Sequence, residues 1–346
     1  MIPYFIIFLI PAFLAINNKL SNSNFIWLFT GGLFSLLIGL RDHVGGDWGT
    51  YFNHYLDSNF KTYSEILTNQ DPGYYLINLF MYDLDLGIYG VNFVCAAIFM
   101  YGLIKFAKQE YNPWMIIAVA VPYTITVVAM GYTRQAVALG LVMWAITYLK
   151  ENRMIGFFLF IILAASFHKS AVLMIGLGIF ANGGGKFLKI IAIGAIGIGL
   201  YNTFLASHAD ALVKSYINSQ MQSSGAFIRT FMNLTPAILL ILYRKRWKEF
   251  FDDFTFWFII AILSIISFTI VGVASTAVDR MALYLLPIQM IVFARLGILM
   301  SHQFSLQTIN IAIIAYYTLV LFVWLNFAAH AHYWVPYQNI IFLNLW

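Results

Sequence analysis

The sequence predicts an all-α, polytopic membrane protein of about twelve transmembrane helices, and three observations predict it. Hydrophobic residues make up 62% of the 346, and only 10% are charged. An ordinary soluble domain is about half apolar and about a quarter charged, so this balance needs lipid as solvent. Apolar runs approaching the roughly 20 residues that cross the hydrocarbon recur along the whole chain. The short polar loops between them are basic on one side of the expected membrane and mixed on the other.

The first apolar run, at 2–16, lacks a basic leader and a small-residue cleavage site, and further spans follow it. It therefore reads as a retained helix and not as a signal peptide. Further crossings are expected at 24–40, 87–106, 113–130, 133–149, 154–167, 169–182, 187–206, 227–243, 255–274, 280–299 and 307–326. Those at 154–167 and 169–182 are short and read as half-helices or tilted ones. The longest polar stretch is an outward loop at 41–86, whose 74–82 portion is apolar enough for a re-entrant or surface helix. No internal repeat, soluble domain or low-complexity tail interrupts the chain, so 1–346 reads as a single integral membrane domain.

Lysine and arginine favour cytoplasmic loops, and this fixes the expected orientation. One set of loops holds eleven of the 19 basic residues, among them Lys19, Lys186 and Lys189, against five acids, a balance of +6. The opposite set holds seven basic residues against nine acids, a balance of −2, and Arg295 falls within a span. The first set is expected in the cytosol, with the Tyr-Arg-Lys-Arg-Trp-Lys run at 243–248 as its strongest marker. Both termini then face outward.

Several function classes are excluded. A single cysteine, Cys95 in an apolar run, leaves no internal disulfide and no cysteine metal site. No Walker loop and no Gly-x-Gly-x-x-Gly opening a helix is present. Asp83 and Asp85 have the spacing of a metal–nucleotide-sugar site, but they lie in a turn between apolar segments. No nucleic-acid partner is expected.

The residues that carry chemistry gather on the outward loops. Arg41, Arg134, Lys169, Arg229 and Arg280 come from separate segments that end on this face, and together they point to an anionic ligand. Each has a plainer reading alone. An arginine at a span end is first a snorkelling anchor. Arg280 has Asp279 beside it, and Arg41 has Asp42 and Asp47 nearby. His168 alone reads as a satisfied polar residue, Gly45 and Gly46 as a turn, and Lys61 and Lys214 as loop charges. His330, His332 and Trp334 read as an interfacial tail. The functional reading rests on the collection, not on any one residue. A site facing away from the cytosol has no ATP or sugar nucleotide, so its substrates must arrive activated. Polyprenyl-diphosphate glycans satisfy that requirement.

These residues resemble the EpsG-like branch of the O-antigen and exopolysaccharide polymerases, the Wzy proteins. An Arg-x-x-x-Gly-x-Asp-x-x-x-Tyr pattern reads Arg41, Gly45, Asp47 and Tyr51, and an acidic-Pro-Gly-Tyr element reads Asp71, Pro72, Gly73 and Tyr74. Arg134 with Gln135 opens a span, and His168, Ser170 and Ala171 fit a His-x-Ser-Ala element. Arg280 with Tyr284, then Trp334, Pro336 and Tyr337, complete the order.

The resemblance implies a GT-C-like membrane glycosyltransferase of the bacterial inner membrane, its site facing the periplasm or cell exterior. Donor and acceptor would be undecaprenyl-diphosphate-linked oligosaccharides. A chain-length regulator and a flippase would be partners, and no metal or cofactor is needed. Asp47, with His168 as alternative, would accept the proton of the attacking hydroxyl. Arg134, Arg280, Arg229 and Lys169 would hold the departing diphosphate, and Arg41 would join them or orient Asp47. Tyr51, four residues after Asp47, would share its helix face and, with Tyr74, Gln135 and Tyr284, contact sugar or support the site. An O-antigen ligase differs only in its acceptor. A membrane O-acyltransferase would use His168 as base but needs a route for a cytosolic acyl thioester. A flippase or other transporter predicts mid-span charges and repeat symmetry, and neither is evident.

Overall fold

The computed structural model describes residues 1–17, 23–58, 60–67, 71–176, 194, 225–272 and 275–343. The expected crossing at 187–206, apart from residue 194, lies outside the described residues, as do the end of the one at 169–182 and Lys19, Lys186, Lys189 and Lys214. Helices α1 to α5 are Ile2–Asn17, Asn24–Gly39, Trp48–Ser58, Tyr63–Leu67 and Pro72–Asp83. Helices α6 to α9 are Gly87–Ala107, Pro113–Ala120, Thr133–Lys150 and Met154–Phe167. Then come α10 (Ala226–Leu242), α11 (Arg244–Phe250), α12 (Phe254–Ile270), α13 (Ser275–Ala282), α14 (Pro287–Leu299), α15 (Leu306–Phe327) and α16 (Ile340–Leu343). Among the described residues the β pairing is a single antiparallel bridge between Arg41 and Asn339.

The fold is all-helical, and its apolar helices mark a membrane protein. Gly87–Ala107, Val278–Leu299 and Leu306–Phe327 are each long and apolar enough to cross a membrane. Ala226–Leu242 with Arg244–Phe250 makes a fourth if the pair, bent by 76°, is one span. The bend falls where the apolar sequence gives way to Arg244, Lys245 and Arg246, whose charges are costly in hydrocarbon. Shorter apolar helices, such as Ile2–Asn17 and Asn24–Gly39, occupy other expected crossings. The apolar stretch expected to dip or lie on the surface is helix α5.

The chain forms two compact units. The first comprises Met1–Trp144, Ser166–His168 and Ala294–Trp346, and the second Ala145–Ala165 and Lys169–Phe293. In the first unit, glycines let helices approach closely, as small residues do where lipid supplies no hydrophobic drive. A Cβ at Gly39 of α2 would strike the Phe93 backbone of α6, and one at Gly102 of α6 would strike the Gly140 carbonyl of α8. The C-terminal segment clasps this unit. Tyr4 Oη donates to the Trp334 carbonyl at 2.7 Å, and the Trp334 indole donates to the Thr126 carbonyl at 2.7 Å. Tyr337 Oη reaches the Leu37 carbonyl at 2.7 Å. Trp334 is thus no interfacial anchor: its ring is buried over Gly131 because its N–H finds a protein acceptor there. His330 and His332 stay exposed.

Arg295 is buried in the same unit and forms two bonds of 2.7 Å to the Glu110 carboxylate. Removing one partner strands a buried charge, which typically costs about 3–5 kcal/mol. Arg295→Met is therefore expected to lower the unfolding temperature strongly, and Glu110→Gln added to it to restore part of the loss. Equal unfolding temperatures for wild type and Arg295→Met in the same detergent would refute this. In the second unit α10 packs along α12. Asn233 of α10 donates to the Ala282 carbonyl at 2.9 Å and accepts from Gln289 Nε2 at 2.8 Å. Trp247 and Trp257 both donate to Asp253, at 3.2 and 3.0 Å.

Candidate functional site

In the first unit the loop after α2 is built around Arg41. Its side chain is 1% exposed, and all three guanidinium nitrogens have protein acceptors. Nη1 donates to the Ile38 carbonyl (2.6 Å), Nε to the Val44 carbonyl (3.2 Å) and Nη2 to Thr133 Oγ1 (2.9 Å). It satisfies a carbonyl at the end of α2 and ties the loop to the start of α8. The structure thus directs its fork to neither Asp42 nor Asp47. Asp42 instead accepts from Tyr89 Oη at 2.6 Å. Gly45 sits at φ +104 with its Cα against the Met130 carbonyl, where no side chain fits.

That turn delivers Asp47 to the start of α3, where its carbonyl accepts the Tyr51 N–H at 3.0 Å. Asp47 is partly exposed, whereas Tyr51, one turn on, is buried. Burial raises the Asp47 carboxyl above its ordinary value, and the Arg134 charge opposes the rise. Burial also pushes the Tyr51 phenol up to about 12, so it stays protonated.

Arg134, at the start of α8, is the cation at the centre of this group. Its Nη1 pairs with Asp71 Oδ2 at 2.8 Å. Its guanidinium carbon lies 5.8 Å from the Tyr51 ring centre and 6.0 Å from that of Tyr74, while its Nε is buried with no acceptor among the described residues. Tyr51 and Tyr74 meet edge to face at 5.6 Å. Asp71 holds the left-handed conformation, φ 56° and ψ 53°, at the start of α5. The next residue in α8, Gln135, is joined by its side chain to His168 Nε2 at 3.1 Å. Gly73 packs against the same segment, since a Cβ there would stand 2.6 Å from Ser166 Oγ and 3.0 Å from Phe167. Asp47, Tyr51, Tyr74 and Arg134 therefore come together, and Gln135 and His168 adjoin them through α8.

The second unit holds the other candidates. Arg229 is 4% exposed and pairs with Asp279 at 2.6 Å. The neighbouring Arg280 is exposed, as is Lys169. Tyr284 is buried and receives the Ser170 hydroxyl at 3.4 Å. Among the described residues no three His, Cys, Asp or Glu side chains are grouped to hold a metal.

The sequence gives two residues of the first unit no role in the site. Asp71 stands there only as part of the acidic-Pro-Gly-Tyr element, whereas in the structure it holds Arg134. His54 was not singled out, although Asp47, Tyr51 and His54 follow the four-then-three spacing of one helical face. His54 Nδ1 lies 3.1 Å from Tyr75 Oη, and the Lys61 ammonium stands 4.6 Å from the centre of the Tyr75 ring.

A partly exposed carboxylate in the field of a guanidinium, with two phenol rings against that guanidinium, can take a proton from a hydroxyl and meet an anion. No curated protein and no solved structure matches the chain. The family model for EpsG matches residues 24–339, nearly all of it, so the chain belongs to the EpsG family.

Proposed function

We propose that this protein is a polysaccharide polymerase of the bacterial inner membrane, transferring a growing glycan from undecaprenyl diphosphate to a lipid-linked repeat unit. About twelve crossings in a GT-C-like arrangement would place the site at the periplasmic or outer face. Membership of the EpsG family supports a polymerase-like activity. The observation that carries the reading is the Arg134 guanidinium, held by Asp71 at 2.8 Å and lying 5.8 and 6.0 Å from the Tyr51 and Tyr74 rings, with Asp47 one helical turn before Tyr51. Asp47 would accept the proton of the acceptor hydroxyl. Arg134 would meet the negative charge that grows on the diphosphate as the glycosidic bond breaks. His168 is the alternative base. Within the second unit, Lys169 and Arg280 are exposed and Arg229 pairs with Asp279, and each would offer charge to an anionic ligand there.

Deleting the gene and sizing the surface glycan tests this. A polymerase predicts lipid carrying a single repeat. Complete loss of glycan from its final acceptor would indicate a ligase, and loss of acetyl groups alone an acyltransferase. Orientation is checked separately with an impermeant thiol reagent on protein lacking Cys95. Cysteine at position 47, but not at 245, is expected to react in intact spheroplasts, and the reverse would overturn the orientation.

A further inference from the structure

We propose that His54 belongs to the anion-binding site and takes up a proton from solvent when a phosphate ester binds, so that a histidinium and Arg134 hold the ligand together. The inference rests on the reading of Arg134 as the diphosphate-binding cation. Three basic groups converge here on two phenol rings. Arg134 lies 5.8 Å from the Tyr51 ring, the His54 ring is tilted against Tyr51 at 6.4 Å and meets Tyr75 edge to face at 5.6 Å, and Lys61 stands 4.6 Å from Tyr75. His54 is half-buried and meets the same Tyr51 ring as Arg134, so the two groups border one wall.

The groups facing His54 are Arg134 from α8, Tyr75 from α5, Lys61 beyond α3, and Asp57 and Tyr51 on its own helix. Asp71 bears on Tyr75 from the start of α5. Burial first, then the Arg134 charge, hold the imidazole below its ordinary value; Asp57 opposes them and Lys61 adds to them. The resting side chain is therefore neutral. In the tautomer that donates Nδ1–H to Tyr75, Nε2 keeps its lone pair for a proton. A bound phosphate ester reverses the field. It neutralises the cation that depresses His54 and places negative charge beside the ring, and both effects raise the imidazole pKa. Proton uptake then supplies another N–H donor to the anion, and the proton comes from bulk buffer.

Isothermal titration of the purified full chain with farnesyl diphosphate, in two buffers of different ionisation enthalpy at neutral pH, counts the protons taken up. Wild type is expected to take up more than His54→Gln, by up to about one proton per ligand bound. Protonation of the diphosphate itself is common to both proteins and cancels in the difference. His54→Asn serves as a second variant, with thermal unfolding confirming that each is folded. A purely structural role bridging α3 and α5 would not alter proton uptake. Equal uptake by wild type and either folded variant overturns the proposal, as does uptake by wild type no greater than the ligand alone explains. Linked uptake in a protein that forms no polymer would sink the polymerase reading and leave this one standing.

Discussion

Asp47→Asn is expected to lower polymer formation by about 100- to 10,000-fold, the range typical of losing a general base, while lipid-linked substrate still binds. The substitution keeps shape and hydrogen bonding but removes proton affinity. Stability separates this from a folding defect. The native fold holds the Asp47 proton more tightly than the unfolded chain does, because burial raises the carboxyl. That contribution is present at low pH and is lost as pH rises through the raised value, so at neutral pH the ionised group is a cost. Asp47→Asn is therefore expected to unfold at the same temperature as wild type or higher, with activity gone. The acid limb of the pH–rate profile should be shifted upward from that of an ordinary aspartate for the same reason, since the base must be ionised. Full activity in Asp47→Asn with total loss in His168→Gln would transfer the role to His168. Near-normal activity in both would leave charge stabilisation as the main catalytic effect.

Arg134→Lys is expected to reduce turnover by about 100- to 1,000-fold, comparable to removing one donor from an oxyanion site. Lysine keeps the charge but loses the planar fork, and the fork allows Nη1 to stay on Asp71 while other N–H groups face a ligand. Asp71→Asn should act in the same direction but less, because it frees Arg134 to move without removing it. Steady-state kinetics on defined lipid-linked repeats would check both. An Asp71→Asn enzyme more impaired than Arg134→Lys would contradict the view that Asp71 works through Arg134.

Much of this arrangement was legible in the sequence because it depends on local spacing. Asp47 and Tyr51 are four residues apart, and Asp47, just before the short α3, accepts the Tyr51 N–H on its carbonyl. His54 continues that spacing, but it lies beyond the Arg41-to-Tyr51 motif, so nothing in the sequence marks it. Cation partners were less legible, because they depend on which segments meet. Asp279 and Arg280 are sequence neighbours, yet adjacent residues on a helix point about 100° apart. Asp279 consequently pairs with Arg229 from α10 and not with Arg280. Arg41 heads the densest motif and was read as a ligand cation. Its fork is taken up by two carbonyls and Thr133, a need visible only once the end of α2 is seen to be buried. Trp334 is similar: the acceptor that draws it inward, the Thr126 carbonyl, lies 208 residues away in sequence.

The proposed activity joins lipid-linked repeats with loss of a polyprenyl diphosphate. Its most direct test combines purified protein with one synthetic undecaprenyl-diphosphate repeat, measuring glycan length and free undecaprenyl diphosphate together. A ladder of longer glycans is expected, with one undecaprenyl diphosphate released for each bond formed and both signals lost in Asp47→Asn and Arg134→Lys. Unchanged repeats with no diphosphate released, under conditions where the protein is folded and binds the substrate, would contradict it.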